Sequence, residues 1–107
     1  MAEFEYERDL LVSILKELNK MGINPEAIER KLYPHLTAAS VRNYLNGKTK
    51  PKKSKFTIIL TFLKSEFPQE YGIVKQRVLE KNGVSSVKDY IIKRMREEDK
   101  ISFGDDI

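Results

Sequence analysis

Apolar residues recur along this chain at three- and four-residue spacing, in blocks separated by proline and glycine, which predicts a succession of amphipathic helices. In the first block, residues 5–21, Leu10, Leu11, Ile14, Leu15, Leu18 and Met21 form one stripe, and Gly22 ends it. Asn24-Pro25-Glu26 has the chemistry of a helix start, with a capping side chain, a first-turn proline and an acid near the positive pole. It predicts a short helix over 25–32 with Ala27, Ile28 and Leu32 inward. Tyr33-Pro34-His35-Leu36 cannot continue that helix, because the residue before proline is pushed out of the helical region and proline has no N–H.

Thr37 is the expected N-cap of a helix over 38–46, with Val41, Tyr44 and Leu45 on its inner face and Ala39, Asn43 and Asn46 opposite, flanked by Ser40 and Arg42. Gly47 terminates it, and Lys48–Ser54 is a basic loop. A helix over 55–66 turns Phe56, Ile59, Leu60 and Leu63 inward, with Ile58 and Phe62 widening the face. After Pro68, residues 69–81 carry Tyr71, Val74, Val78 and Leu79. Gly83 breaks the chain, and Ser85 or Ser86 caps a last helix over 86–99 whose stripe is Val87, Tyr90, Ile91 and Met95. Glu97-Glu98-Asp99 would then sit unfavourably at a negative helix end, and Ile101–Ile107 is expected to be loose. The pattern holds no confident strand, so the expected fold is all-α with five to six helices.

Composition narrows the function. The chain has 107 residues, no cysteine and a single histidine, His35. That excludes a disulfide framework, a thiolate nucleophile and a multi-histidine metal cluster, so neither a metal nor another cofactor is expected. No nucleophile–base pair stands out, and the chain is read as a non-enzyme with no small-molecule substrate. No apolar run approaches a membrane span, and the acidic start Met1-Ala2-Glu3-Phe4-Glu5 is unlike a secretory or transit peptide; a cytoplasmic location is expected.

Charge is segregated. The formal net charge is +4, but residues 30–64 hold nine basic side chains and no carboxylate, while 1–29 balance at −4 and 65–107 at −1. The basic set is Arg30, Lys31, Arg42, Lys48, Lys50, Lys52, Lys53, Lys55 and Lys64. A lysine-rich loop alone would be an ordinary solvated surface. Thirty-five residues without an acid, in a chain otherwise rich in them, favour a polyanion partner.

A short helix, a turn, a second helix with a small-residue outer face and a basic loop follow the layout of helix-turn-helix DNA binding. From about Leu10 to Leu63 the sequence resembles the XRE family of Cro- and phage-repressor-like regulators. The resemblance is carried by Gly22-Ile23-Asn24-Pro25-Glu26-Ala27-Ile28, by Ser40-Val41-Arg42-Asn43-Tyr44-Leu45-Asn46-Gly47, by Gly47-Lys48-Thr49-Lys50-Pro51, and by Phe56, Ile59, Leu60 and Leu63. It implies a lambda-repressor-like helix-turn-helix domain over residues 1–83, with 84–107 as an additional C-terminal helix and tail. It also implies sequence-specific binding of double-stranded DNA by a repressor-type transcriptional regulator of prokaryotic or phage-like style, with helix 37–46 in the major groove.

In that groove Ala38, Ala39, Arg42 and Asn43 are the expected base readers: small methyls against thymine, Arg42 bidentate to guanine, Asn43 to adenine. Thr37, Asn46, Lys48, Lys50, Lys52 and Lys53 are the expected phosphate contacts. Neutralising about six phosphates would make affinity fall with roughly the fifth power of salt concentration. A symmetric homodimer reading two half-sites is expected, through Val87, Tyr90, Ile91 and Met95, against the alternative that this stripe packs back on the core. Two features depart from the family pattern. The turn is about two residues longer, and Glu29 stands where a small residue lets the two helices approach, so it must tilt to solvent or find a partner. The rival functions are a helix-turn-helix fold used for protein–protein interaction, antitoxin-like or anti-defence, and a non-specific DNA-binding accessory protein.

Overall fold

Most helices of this chain begin where a side chain or a proline deals with the free N–H groups of the first turn. Asn24 Oδ1 accepts from Ala27 N at 2.9 Å, with Pro25 behind it. Thr37 Oγ1 accepts from Ser40 N at 3.2 Å, and Ser86 Oγ accepts from Asp89 N at 3.1 Å. Pro68 opens the fifth helix. The structure is a computed structural model that describes the backbone of residues 2–106 and the side chains of 3–98. Its elements are α1 (Ala2–Lys20), α2 (Pro25–Leu32), α3 (Ala38–Leu45), α4 (Lys53–Glu66), α5 (Pro68–Lys81) and α6 (Val87–Asp106). The fold is all-α, with no strand among the described residues.

The first helix is the axis of the core. Tyr6, Leu10, Leu11, Ile14, Leu15 and Leu18 are all buried on it, and α3, α4, α5 and α6 pack around it. They bring Val41 and Tyr44 from α3, Phe56, Ile59 and Leu63 from α4, Tyr71, Val74, Val78 and Leu79 from α5, and Tyr90 from α6. The second helix adds Ile28 and Leu32, resting on α3 and α4. Each such side chain is worth about 1.5–3 kcal/mol of transfer free energy, which is why a stripe as long as that of α1 gathers the other helices.

Three expectations are corrected. The first helix starts at Ala2 instead of near residue 5, and the rings of Phe4 and Phe56 meet in a T-shaped pair with centroids 5.4 Å apart. Met21 is exposed, and partly buried Ile23 closes that end of the core in its place. The last helix carries its backbone through Gly104 to Asp106, so Glu97, Glu98 and Asp99 lie within it and not at its negative end; the side chains from Asp99 onward, and Ile107, lie outside the described residues.

The expected dimer seam is corrected at Tyr90. Tyr90 is only 4% exposed, and Val87 and Ile91 pack partly buried against the same core, leaving Met95 as the exposed member of the four. The physical reason is that α1 offers α6 a complete binding surface. Arg94 stacks 5.0 Å above the ring of Tyr6, donates to Tyr90 Oη at 2.7 Å and bonds Asp9 at 3.1 Å. Lys93 donates to the carbonyl of Asn82 at the end of α5. Tyr90 is thus taken up within its own chain, and Val87 and Ile91 in part.

Candidate nucleic-acid interface

The turn between α2 and α3 is held at three points. Leu36 is buried in the core, the His35 ring stacks on Phe62 of α4 at a centroid distance of 5.0 Å, and Lys55 of α4 donates to the His35 carbonyl. Tyr33 points out to solvent at 67% exposure. The turn therefore lies against α4.

Glu29 finds its partner at the start of α3. Its Oε1 accepts from the backbone N–H of Ala38 at 2.7 Å, in a partly buried position. A carboxylate at a helix N-terminus meets both an unpaired N–H and the positive pole. Glu29 thus caps α3 from a neighbouring helix, while Thr37 caps it locally. This bond gives the glutamate its place between the two helices.

The third helix divides into two faces. Ala38, Val41 and Tyr44 are buried. Ala39, Arg42 and Asn46, at the same helical spacing one residue on, are exposed, and Ser40, Asn43 and Leu45 lie between. Ala38, expected among the base readers, is corrected: at 6% exposure its methyl is turned into the protein, because it shares a face with Val41. Ala39 and Arg42 stand on the outer surface and Asn43 at its margin. Thr37 is exposed at the N-cap.

Beyond α3 the backbone reverses at Gly47, where φ is +76°, a left-handed conformation that glycine adopts without a Cβ clash. Lys48 N donates to the Asn43 carbonyl at 2.9 Å, folding the loop against the helix end. Pro51 is buried, and Lys48, Thr49, Lys50, Lys52 and Lys53 are exposed around it. Lys64 on α4 and Arg30 and Lys31 on α2 are exposed too.

Two features here were not legible in the pattern. Arg42 is ion-paired with Glu26 of α2, with both side chains about half exposed. Sixteen positions separate them, so no helical spacing announces the pair. Lys16 of α1 lies in one groove with Lys50, Thr49 and Gly47, although the charge count assigns the first 29 residues an acidic balance. Among the described residues no group of three or more His, Cys, Asp or Glu side chains is placed to hold a metal ion, and no helix is long and apolar enough to cross a membrane. Comparisons with protein-family models, curated proteins and solved structures return no match.

Proposed function

We propose that this chain binds double-stranded DNA with α3 in the major groove and the Lys48–Lys52 loop and Lys53 at the start of α4 on the phosphate backbone, acting as a cytoplasmic, repressor-type transcriptional regulator. The observation that carries the reading is the outer stripe Ala39, Arg42 and Asn46, continuous with exposed Lys48, Lys50, Lys52 and Lys53 in a stretch without a carboxylate. A helix fits the major groove, its outward side chains reach base edges, and flanking cations neutralise phosphates.

Magnitudes favour an exchange of partners by Arg42. An ion pair as exposed as Arg42–Glu26 is worth about 0–1 kcal/mol. A bidentate contact to guanine is worth about 1–3 kcal/mol of discrimination. Arg42 can therefore leave Glu26 for a base at little net cost.

Selection of bound duplexes from a random pool tests this directly. The expected result is an enriched motif, whose binding weakens by about tenfold to a hundredfold in Arg42→Ala, with the fold unchanged by circular dichroism. A palindromic motif would mark two copies on DNA. Uniform affinity for every duplex would support a non-specific accessory protein.

One observation favours a protein partner. Glu26 and Glu29 put two carboxylates beside the very helix that must approach phosphates, and Glu29 occupies the first amide of α3. If no duplex binds at low salt, that reading replaces the first.

A further inference from the structure

Lys16 belongs to two neighbouring clefts. In one it lies with Ser13 of α1, Tyr44 of α3 and Gly47, Thr49 and Lys50 of the loop. In the other it lies with Glu17 and Lys20 of α1, Leu45 of α3 and Lys81 and Asn82 at the end of α5. The two clefts adjoin at the C-terminal end of α3. Four lysines, Lys50, Lys16, Lys20 and Lys81, thus line two adjoining clefts that share Ser13 and Lys16, although they come from three distant stretches of chain.

The carboxylates on this surface are already partnered. Asp9, in the first cleft, is held by Arg94 at 3.1 Å. Glu17, in the second, is held by Lys20 and Lys81 at 3.0 Å each. The Glu17 side chain is 9% exposed, while those of Lys20 and Lys81 are 70% and 56% exposed. One buried carboxylate therefore fixes two ammonium groups and leaves a net positive charge facing solvent. Lysines restrained in this way lose less rotamer freedom when they meet an anion. Lys20 and Lys81 also lie in the last turns of their helices, where a cation complements the negative pole. That accounts for two of the four but not for Lys16, which stands inside α1 and makes no ion pair among the described residues.

We infer that the phosphate-binding surface runs on from the Lys48–Lys52 loop across Lys16 to the Lys20–Glu17–Lys81 cluster, so that the nucleic-acid backbone follows the protein past the end of α3. The inference rests on the duplex binding proposed above and adds a second set of phosphate contacts to it. The cations are strung along adjoining open clefts, which suits a row of phosphates better than one small anion.

The test uses the full chain and a fluorescent duplex of mixed sequence, with affinity measured by anisotropy over a range of NaCl concentrations. Each lysine that contacts phosphate contributes about 0.9 to the slope of log affinity against log salt. Lys16→Ala is expected to lower the slope by about that amount, Lys16→Ala/Lys20→Ala by twice as much, and Lys16→Arg to keep it. Thermal melting accompanies Lys81→Ala, which leaves Glu17 with one partner; Lys16→Ala breaks no ion pair and is the deciding variant. Duplex binding by the native chain with an unchanged slope in the Lys16 and Lys16/Lys20 variants overturns the extension alone. No duplex binding by the native chain overturns the extension together with the reading beneath it. Binding of polyglutamate as tightly as duplex, with the same dependence on Lys16, overturns the assignment to nucleic acid in favour of an acidic protein.

Discussion

Glu26 and Glu29 sit one helical turn apart on α2 and do different work. Glu26 holds an exposed arginine, and its charge lies next to the surface that would face phosphates. Glu26→Gln should tighten duplex binding severalfold, because Arg42 is released and a repelling carboxylate is removed; titration of both proteins with the same selected duplex checks this. Glu29 instead serves the fold. Its bond to Ala38 N is charge-assisted and partly buried, a class of hydrogen bond worth about 1.5–3 kcal/mol. Glu29→Ala should lower the midpoint of urea unfolding by an amount equivalent to about 1–2 kcal/mol at unchanged m-value. A variant that unfolds like the native chain would show that Thr37 caps α3 sufficiently by itself.

At the scale of elements, α6 shows how a stripe read from its spacing can be taken up within the chain at its centre, Tyr90. Val87, Tyr90 and Ile91 do share a face, as their spacing requires, and that face meets α1 of the same chain. Tyr90→Ala should therefore destabilise the single chain by about 3 kcal/mol, the cost of emptying a buried aromatic site. Melting followed by circular dichroism measures that loss. Sedimentation of the variant at temperatures where it is folded should match that of the native chain, because the side chain removed lies within one chain. A change of sedimentation would return Tyr90 to an interface between copies.

For the whole molecule, electrostatics ties together parts that are far apart in the chain. Glu17 on α1 is joined to Lys81 on α5, and hydrogen bonds from Lys20 and Lys81 hold its carboxyl below the usual carboxylate range. A depressed folded-state pKa adds stability that is fully present above the ordinary glutamate value of about 4.3 and is lost as pH falls through the lower folded value. Unfolding midpoints measured downward from neutral pH should thus decline below about pH 4.3 more steeply in the native chain than in Glu17→Gln. Equal acid limbs would mean that Glu17 is no better stabilised in the folded chain than in the unfolded one.

Caps and breaks follow from interactions that reach only a few residues, so Asn24, Thr37, Pro68 and Gly47 could be read directly from their order and Ser86 was one of two candidates, whereas α4 begins at Lys53, two residues before its spacing placed it. Ala39 and Asn46 were legible on the outer face for the same reason, but the spacing centred that face on Asn43 with Arg42 at its flank, and the structure exposes Arg42 and leaves Asn43 at the margin. Ala38 was misplaced because the rotation of α3 about its axis is set by the helices it packs against. The partners of Arg42, Glu29, Glu17 and Lys16, and the destination of the α6 stripe, depend on which helices meet, and local spacing carries no information about that. Charge behaves likewise: a balance taken along the chain separates Lys16 and Lys81 from Lys50, whereas the fields that a ligand meets add through space.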